Sequence, residues 1–382
     1  MDQLIPLLAA WRVMRLGTRE VVDALVLPEH RGGSASLRRV LAAWPGGWYW
    51  ADREESRLVL VRALPGARRP RWVLHGVLFA LAVLFALGAG AALAGVWYPP
   101  QASGVRGVLF GIGQFFVGLV EGDWRPLLEG WTFAVPLLAI LVVHESGHYF
   151  AARRYHIDVS PPYFLPIPPS LSPIGTLGAF IRLRSPVLDR RQLLDVGAAG
   201  PLAGFVVALG VLVWGYLTSH ISAAMPAGLS AAGSATSWIS FAGEPIGLGD
   251  SVLTHVLRRW ALGDAAVVHL SLPAFAGWVG AFITGLNLLP LSQLDGGHIL
   301  YALLGRRQRP VAIAAVLALL ALSTQSPNWI VWVAMTFIIG GGRWSHPSVI
   351  VPARPVPASR RWVGLASVVV FALTFVPIPF AV

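Results

Sequence analysis

The chain reads as an all-α polytopic membrane protein of about six to seven transmembrane helices. It carries a small β-hairpin or re-entrant insertion and a small N-terminal α/β soluble domain. Three observations lead there. Of the 382 residues, 55% are hydrophobic and only 12% are charged, and the mean hydropathy is +0.66; soluble domains carry about 25% charged residues. Apolar runs recur near 72–97, 131–150, 193–217 and 270–289, each near the roughly 20 residues a helix needs to cross a bilayer. Arginines gather at the ends of these runs, as topology signals do.

Residues 1–71 are mixed and charged, with helix-like pieces at 4–16 and 18–27 and a strand-like piece at 57–64. Arg68, Arg69 and Arg71 then abut the first long apolar run, which divides a cytosolic domain at 1–71 from a membrane domain at 72–382. The apolar stretch at 108–120 is only 13 residues long, which favours a re-entrant or interfacial segment. Residues 131–150 make a full helix. Pro161, Pro162, Pro166, Pro168, Pro169 and Pro173 follow, too many for a helix or a central strand. Within 175–184, Ile181 and Leu183 alternate with Arg182 and Arg184, a strand signature. Residues 193–217 span again, 220–268 form a polar loop rich in Gly, Ala and Ser, and 270–289 span once more. Two short apolar segments at 311–322 and 329–339 make a helical hairpin, and 362–380 is a last span. Tryptophans near the span ends, such as Trp72, Trp131 and Trp362, suit an interfacial belt.

Composition excludes several classes. With no cysteine, there is neither a disulfide nor a thiolate metal site. A net charge of +11 could suit nucleic acid, but all 29 basic residues are arginines set at span ends, so the expected partner is the lipid bilayer and not nucleic acid. If 108–120 does not cross, 25 of the 29 arginines fall on one side, in segments 1–71, 151–192, 294–310 and 343–361. Arg106, Arg125, Arg258 and Arg259 fall on the other. The positive-inside bias then puts the N-terminus in the cytosol. No cleavable signal peptide is expected. Abundant Arg, Ala, Gly, Pro and Trp suggest a GC-rich bacterial genome, and the expected address is a bacterial plasma membrane.

Chemistry concentrates at His144-Glu145-Ser146-Gly147-His148, which follows an unbroken apolar run. Residues four apart share a helix face, so both imidazoles can reach one ion, with Glu145 beside them. This is the His-Glu-x-x-His zinc-hydrolase pattern. An ionisable group inside a membrane costs roughly 2.5–3.5 kcal/mol by insertion scales, so three together need a function. A catalytic zinc site takes three protein ligands and keeps one position for water. Asp295, in Leu294-Asp295-Gly296-Gly297-His298, is the preferred third ligand, since it follows a long apolar span and its glycines allow close backbone approach. His298 is the rival third ligand, or a neighbour that contacts substrate.

These motifs, with Gly200-Pro201-Leu202-Ala203-Gly204 and Asn287-Leu288-Leu289-Pro290, resemble the site-2 protease family of intramembrane zinc metalloproteases, peptidase family M50. Gly175-Thr176-Leu177-Gly178 through Arg184-Ser185-Pro186 resembles its cyanobacterial and plant-chloroplast-type branch. The likeness covers residues of about 130–300. It implies a three-helix catalytic core in which His144, His148 and Asp295 bind one zinc ion per chain and Glu145 is the general base. Asn287 would hydrogen-bond the substrate backbone or a developing oxyanion. The segment from Gly178 to Arg184 would pair with substrate as an edge strand, and Gly200 and Gly204 would pack helices closely. The implied substrate is a transmembrane protein, such as an anti-sigma factor or a membrane-tethered transcription factor.

A different class would be a membrane zinc transporter using His144, His148 and Asp295 as a transport site. Such carriers place a further Glu after the second His, where this chain has Tyr149, and they need polar groups across the whole bilayer. Gly247-Leu248-Gly249-Asp250 imitates an aspartyl-protease motif but lies in a polar loop without a second membrane Asp. His75, His156, His220, His255, His269 and His346 read as ordinary surface or interface residues.

Overall fold

A tight turn decides the first 64 residues. Gly17 adopts φ +62°, and a two-residue hairpin at Gly17-Thr18 places Leu16 opposite Arg19, joining β1 (Leu8–Leu16) to β2 (Arg19–Val26). The helix-like pieces at 4–16 and 18–27 are therefore strands: Val21, Val22, Ala24 and Val26 bury against neighbours in a sheet, and cross-strand packing overrides local periodicity. Helix α1 (Ala35–Ala42) follows. Ser34 caps it by accepting a hydrogen bond from the Leu37 N–H, and Leu37 and Leu41 pack on Val22, Leu58 and Leu60. Strands β3 (Gly46–Trp50) and β4 (Arg57–Ala63) complete an antiparallel sheet of order β1-β2-β4-β3.

The computed structural model describes residues 3–64, 70–97, 104–122, 124–226, 229, 236–264, 267–346 and 348–381. Arg68 and Arg69, expected at the membrane boundary, lie outside the described residues. Next come α2 (Trp72–Leu93), α3 (Gly104–Val120), α4 (Arg125–Glu129) and α5 (Trp131–Arg154). The short apolar stretch at 108–120 is thus part of a 17-residue helix. A hairpin follows, with β5 (Tyr163–Pro166) antiparallel to β6 (Thr176–Phe180). It lies along α2: Gly88 faces Pro169, and Gly175, at φ +71°, presses on the backbone of Phe85 and Ala86. His75 meets Pro162 at the other end. From residue 75 to residue 88 is about 20 Å of helix, at about 1.5 Å per residue.

Helix α6 (Arg190–Leu217) is capped by Asp189, which accepts from the Gln192 N–H. Strands β7 (His220–Ile221), β8 (Ser237–Phe241) and β9 (Glu244–Leu248), helix α7 (Val252–Leu262) and β10 (Val268–His269) come next. The stretch 220–268 is therefore not a plain loop: the strands join a sheet of order β11-β9-β8-β10-β7 at the far end of the helices. Helices α8 (Leu272–Asn287), α9 (Asp295–Leu304), α10 (Gln308–Leu322), α11 (Asn328–Ile339) and α12 (Arg361–Thr374) and strand β11 (Phe380–Ala381) finish the chain. The last span is shorter than the expected 362–380 because extended backbone at Phe375 ends α12, and β11 pairs with β9.

Among the described residues, α2, α5 and α6 are long and apolar enough to cross a membrane, at 22, 24 and 28 residues. The sequence suggests six to seven spans; α8 and α11 are apolar but shorter, at 16 and 12 residues. One apolar core joins α2, α5, α6 and α8 through Phe133, Leu137, Leu212 and Phe275. Apolar side chains also point outward, Val73 at 82% and Ile338 at 75% exposure, which suits a lipid surround.

Candidate metal centre

His144 and His148 lie one turn apart on α5 and are buried, as is Glu145 between them. Opposite stands α6. A Cβ on Gly200 would lie 2.1 Å from His148 Nε2, and one on Gly204 would lie 3.1 Å from His144 Cβ. Gly147 on α5 likewise faces the Ala199 carbonyl. The small-xxx-small spacing thus lets α5 and α6 approach until the rings rest on bare backbone. Pro201 lies inside α6 and has no N–H to give the Gly197 carbonyl. The Val196 carbonyl accepts from His148 Nδ1 at 2.7 Å. A carbonyl only accepts, so Nδ1 carries the hydrogen and Nε2 keeps its lone pair for an ion.

Asp295 arrives from a different element than its sequence position suggests. It does not end the helix α8, which stops at Asn287, but begins α9. The turn between them includes Ser292 at φ +42°. Its glycines fit that geometry, since a Cβ on Gly296 would lie 2.0 Å from the Leu288 carbonyl and one on Gly297 2.3 Å from that of Ser292.

The result is a triangle of donor atoms. His144 Nε2 and His148 Nε2 are 3.2 Å apart, and Asp295 Oδ2 is 3.4 Å from the first and 3.3 Å from the second. A tetrahedral zinc ion with bonds of about 2.0–2.1 Å sets its ligand atoms about 3.3 Å apart, so the donor set fits zinc in chemistry and spacing. Two Nε2 atoms facing each other beside a carboxylate form a donor set of the kind a divalent cation takes. Among the described residues, this is the one group of His and acid donors close enough to share an ion. Glu145 Oε1 is 3.9 Å from His144 Nε2, and the Ile181 backbone stands beside its carboxylate on the wall of one cavity.

A cavity of about 410 Å³ opens onto the triangle, lined by Glu145, Phe180, Ile181, Asn287 and His298 among others. Asn287 Nδ2 is 3.4 Å from His144 Nε2. His298 stands outside the triangle: its Nδ1 is 2.7 Å from His346 Nε2. Gly178, at φ +102°, has open space where a Cβ would project. Within the expected 175–184 the strand runs from Thr176 to Phe180 and gives way to backbone pairing of Ser160 with Arg182 and of Asp158 with Arg184. That pairing uses one edge of 180–184 and leaves the other toward Glu145.

Two histidines expected to be ordinary surface or interface residues are not so. His75 is buried, 5% exposed, with Nδ1 2.9 Å from the Pro162 carbonyl. His346 reaches the centre through His298. No local signal marks either, because their partners are 87 and 48 residues away.

The model of Peptidase family M50 matches residues 132–323. The chain is 30% identical over 262 residues to the probable zinc metalloprotease EGY2, chloroplastic, of Arabidopsis thaliana, which covers 67% of this chain and 43% of that protein. It is 33% identical over 192 residues to the probable zinc metalloprotease EGY1, chloroplastic, of Oryza sativa subsp. japonica, covering 48% of this chain and 30% of that protein. The chain thus spans less than half the length of these relatives. No solved structure matches it.

Proposed function

Since this chain belongs to peptidase family M50, whose model covers half of it, we propose that it is an intramembrane zinc metalloprotease hydrolysing a peptide bond within or near a transmembrane helix of a membrane-protein substrate. One observation carries this reading: the 3.2–3.4 Å triangle of His144, His148 and Asp295 with the Glu145 carboxylate beside it. Family membership and the zinc-metalloprotease names of the relatives favour it over a zinc transporter.

His144, His148 and Asp295 would hold one zinc ion. Bound there, zinc supplies Lewis acidity that brings the pKa of a water to about 7 and polarises a peptide carbonyl. Glu145 takes the proton from the attacking water at a carboxylate oxygen and returns it to the leaving amine nitrogen. The Ile181 backbone stands beside that carboxylate on the cavity wall. Asn287 Nδ2 donates to the substrate carbonyl oxygen as negative charge develops. A helix hides its carbonyls, so the substrate must be extended before attack. The unpaired edge of 179–183 lies along the cavity and would hold it as an added strand. His298 would contact substrate from α9.

We further assign residues 1–71 to a cytosolic domain and 72–382 to the membrane protease domain. Segments rich in arginine meet in one polar cluster, where Arg354 pairs with Asp23 and Asp189, and Arg190 donates to the Ala302 and Leu303 carbonyls. That clustering supports a shared cytosolic side. Arginine as the sole basic residue is the ground for a bacterial plasma membrane, although the relatives are named chloroplastic. A single-span anti-sigma factor or membrane-tethered transcription factor fits the substrate class.

Reconstitution in liposomes with a single-span model helix tests the proposal. Wild type should cleave it and a zinc chelator should stop cleavage, while Glu145→Gln keeps zinc and leaves the helix intact. Zinc-loaded wild type that cleaves no tested helix, yet moves zinc across the bilayer, would establish the transporter instead.

A further inference from the structure

The hairpin beside the metal centre is fastened to α2, which carries none of the metal donors. Contacts along much of α2 make the attachment. The buried His75 Nδ1 lies 2.9 Å from the Pro162 carbonyl, and its ring is 4.1 Å from that of Tyr163. Phe79 packs edge-on against Phe164 at 4.9 Å. Gly175 rests on the backbone of Phe85 and Ala86, where a Cβ would come within 2.4 Å. Tyr163 then stands opposite Phe180 in register, with the two rings stacked at 5.3 Å.

Phe180 is followed by Ile181, and both line the cavity together with the Glu145 carboxylate. A line of contacts therefore runs from His75 through Tyr163 and Phe180 to the group beside the metal donors. An apolar residue would satisfy the packing at position 75 equally well. A histidine there, within an apolar helix and with Nε2 buried and unpartnered among the described residues, is costly to keep unless its Nδ1–H matters. That hydrogen goes to Pro162, at the base of the hairpin.

We propose that His75 is a positioning residue for the edge strand. Its bond to Pro162 sets where Phe180 and Ile181 stand, and hence whether the free edge of 179–183 and the Glu145 carboxylate face the same stretch of extended substrate. This rests on the protease reading of the centre. It also makes substrate alignment separable from metal binding, because the hairpin is held by α2 whereas the three donors lie on α5 and α9.

Full-length protein in detergent, as wild type, His75→Ala and His75→Asn, tests this by hydrogen exchange of residues 176–184. The Asn amide nitrogen can take the place of Nδ1. His75→Ala should exchange these amides about tenfold faster, His75→Asn should stay near wild type, and all three should hold equal zinc. With a quenched-fluorescence peptide of extended apolar sequence as probe, kcat/KM should fall about tenfold in His75→Ala through KM, and His75→Asn should restore it. Unchanged exchange at 176–184 in His75→Ala overturns the proposal, and so does His75→Asn behaving as His75→Ala. Loss of zinc with faster exchange throughout α5 overturns it too, since that is general destabilisation. If zinc-loaded wild type leaves the peptide intact, the protease reading fails while the exchange result still decides the role of His75.

Discussion

His148 can face an ion only because Gly200 has no side chain. A Cβ there would lie 2.1 Å from Nε2, the atom assigned to the metal, so Gly200→Ala should displace the ring and lower zinc affinity by about 10–100-fold. Gly204→Ala adds a carbon no closer than 3.1 Å to His144 and should keep most of the metal. Elemental analysis of the two purified variants distinguishes them. Glu145→Gln should retain zinc but slow proteolysis by about 10²–10⁴-fold, the usual contribution of a general base. Residues 144, 145 and 148 were legible in the sequence because one helical turn in an apolar setting is a local pattern. Gly200 and Gly204 were legible for the same reason. The roles of His75 and His346 depend on partners that only the fold brings near.

At the scale of elements, the strand from Thr176 to Phe180 and its continuation to Arg184 join the hairpin to the centre. Ile181→Pro removes a backbone N–H from the cavity wall that Glu145 shares. It should cut peptide turnover by at least about tenfold with zinc content unchanged, and unchanged turnover would remove the edge strand from the mechanism. Gly178→Pro is a harsher test, because φ at Gly178 is +102° and proline requires about −65°. The expected strand at 175–184 contains β6, but the alternation at 181–184 did not announce that pairing passes after Phe180 to residues 158–160. The helix α9 was missed because the turn before Asp295 hangs on Ser292 at φ +42°, which no residue preference advertises. In the first domain, Gly17-Thr18 was the turn signal that converts two helix-like pieces into β1 and β2.

Over the whole molecule, Arg354 ties three distant segments together. Its guanidinium binds Asp23 of β2 and Asp189 at the start of α6, each at 2.8 Å, with all three side chains at least nine-tenths buried. Arg354→Ala would leave Asp23 only Arg57, at 3.4 Å, and Asp189 only its cap on α6, and should cost about 1–3 kcal/mol, read as lowered resistance of residues 1–64 to denaturant. The contact between this sheet and the end of α5 also depends on pH. Gly47 packs on the His156 ring, and Arg19 donates to the His156 carbonyl. Burial, followed by Arg19 and Arg153, holds the ring below its ordinary 6.5. The unfolded chain therefore takes up the proton first, and this stability is complete above about 6.5 and lost as pH falls below it. Exchange of residues 46–50, corrected for intrinsic rate, should be faster at about pH 5 than at about pH 7.5. The division of the chain near residue 71 was legible from composition, whereas the sheet formed by 220–269 and 380–381 was not. Its strands are short, and apart from the local β8–β9 hairpin they gain their partners only across long gaps, as β11 does from β9.

Zinc content of wild type, Asp295→Ala, His298→Ala and Glu145→Gln, purified side by side, bears on the metal centre with the fewest intermediate assumptions. Three donors at 3.2–3.4 Å require about one zinc per chain in wild type, His298→Ala and Glu145→Gln, and little or none in Asp295→Ala. Full zinc in Asp295→Ala with loss in His298→Ala would transfer the third ligand to His298 and contradict the centre described above.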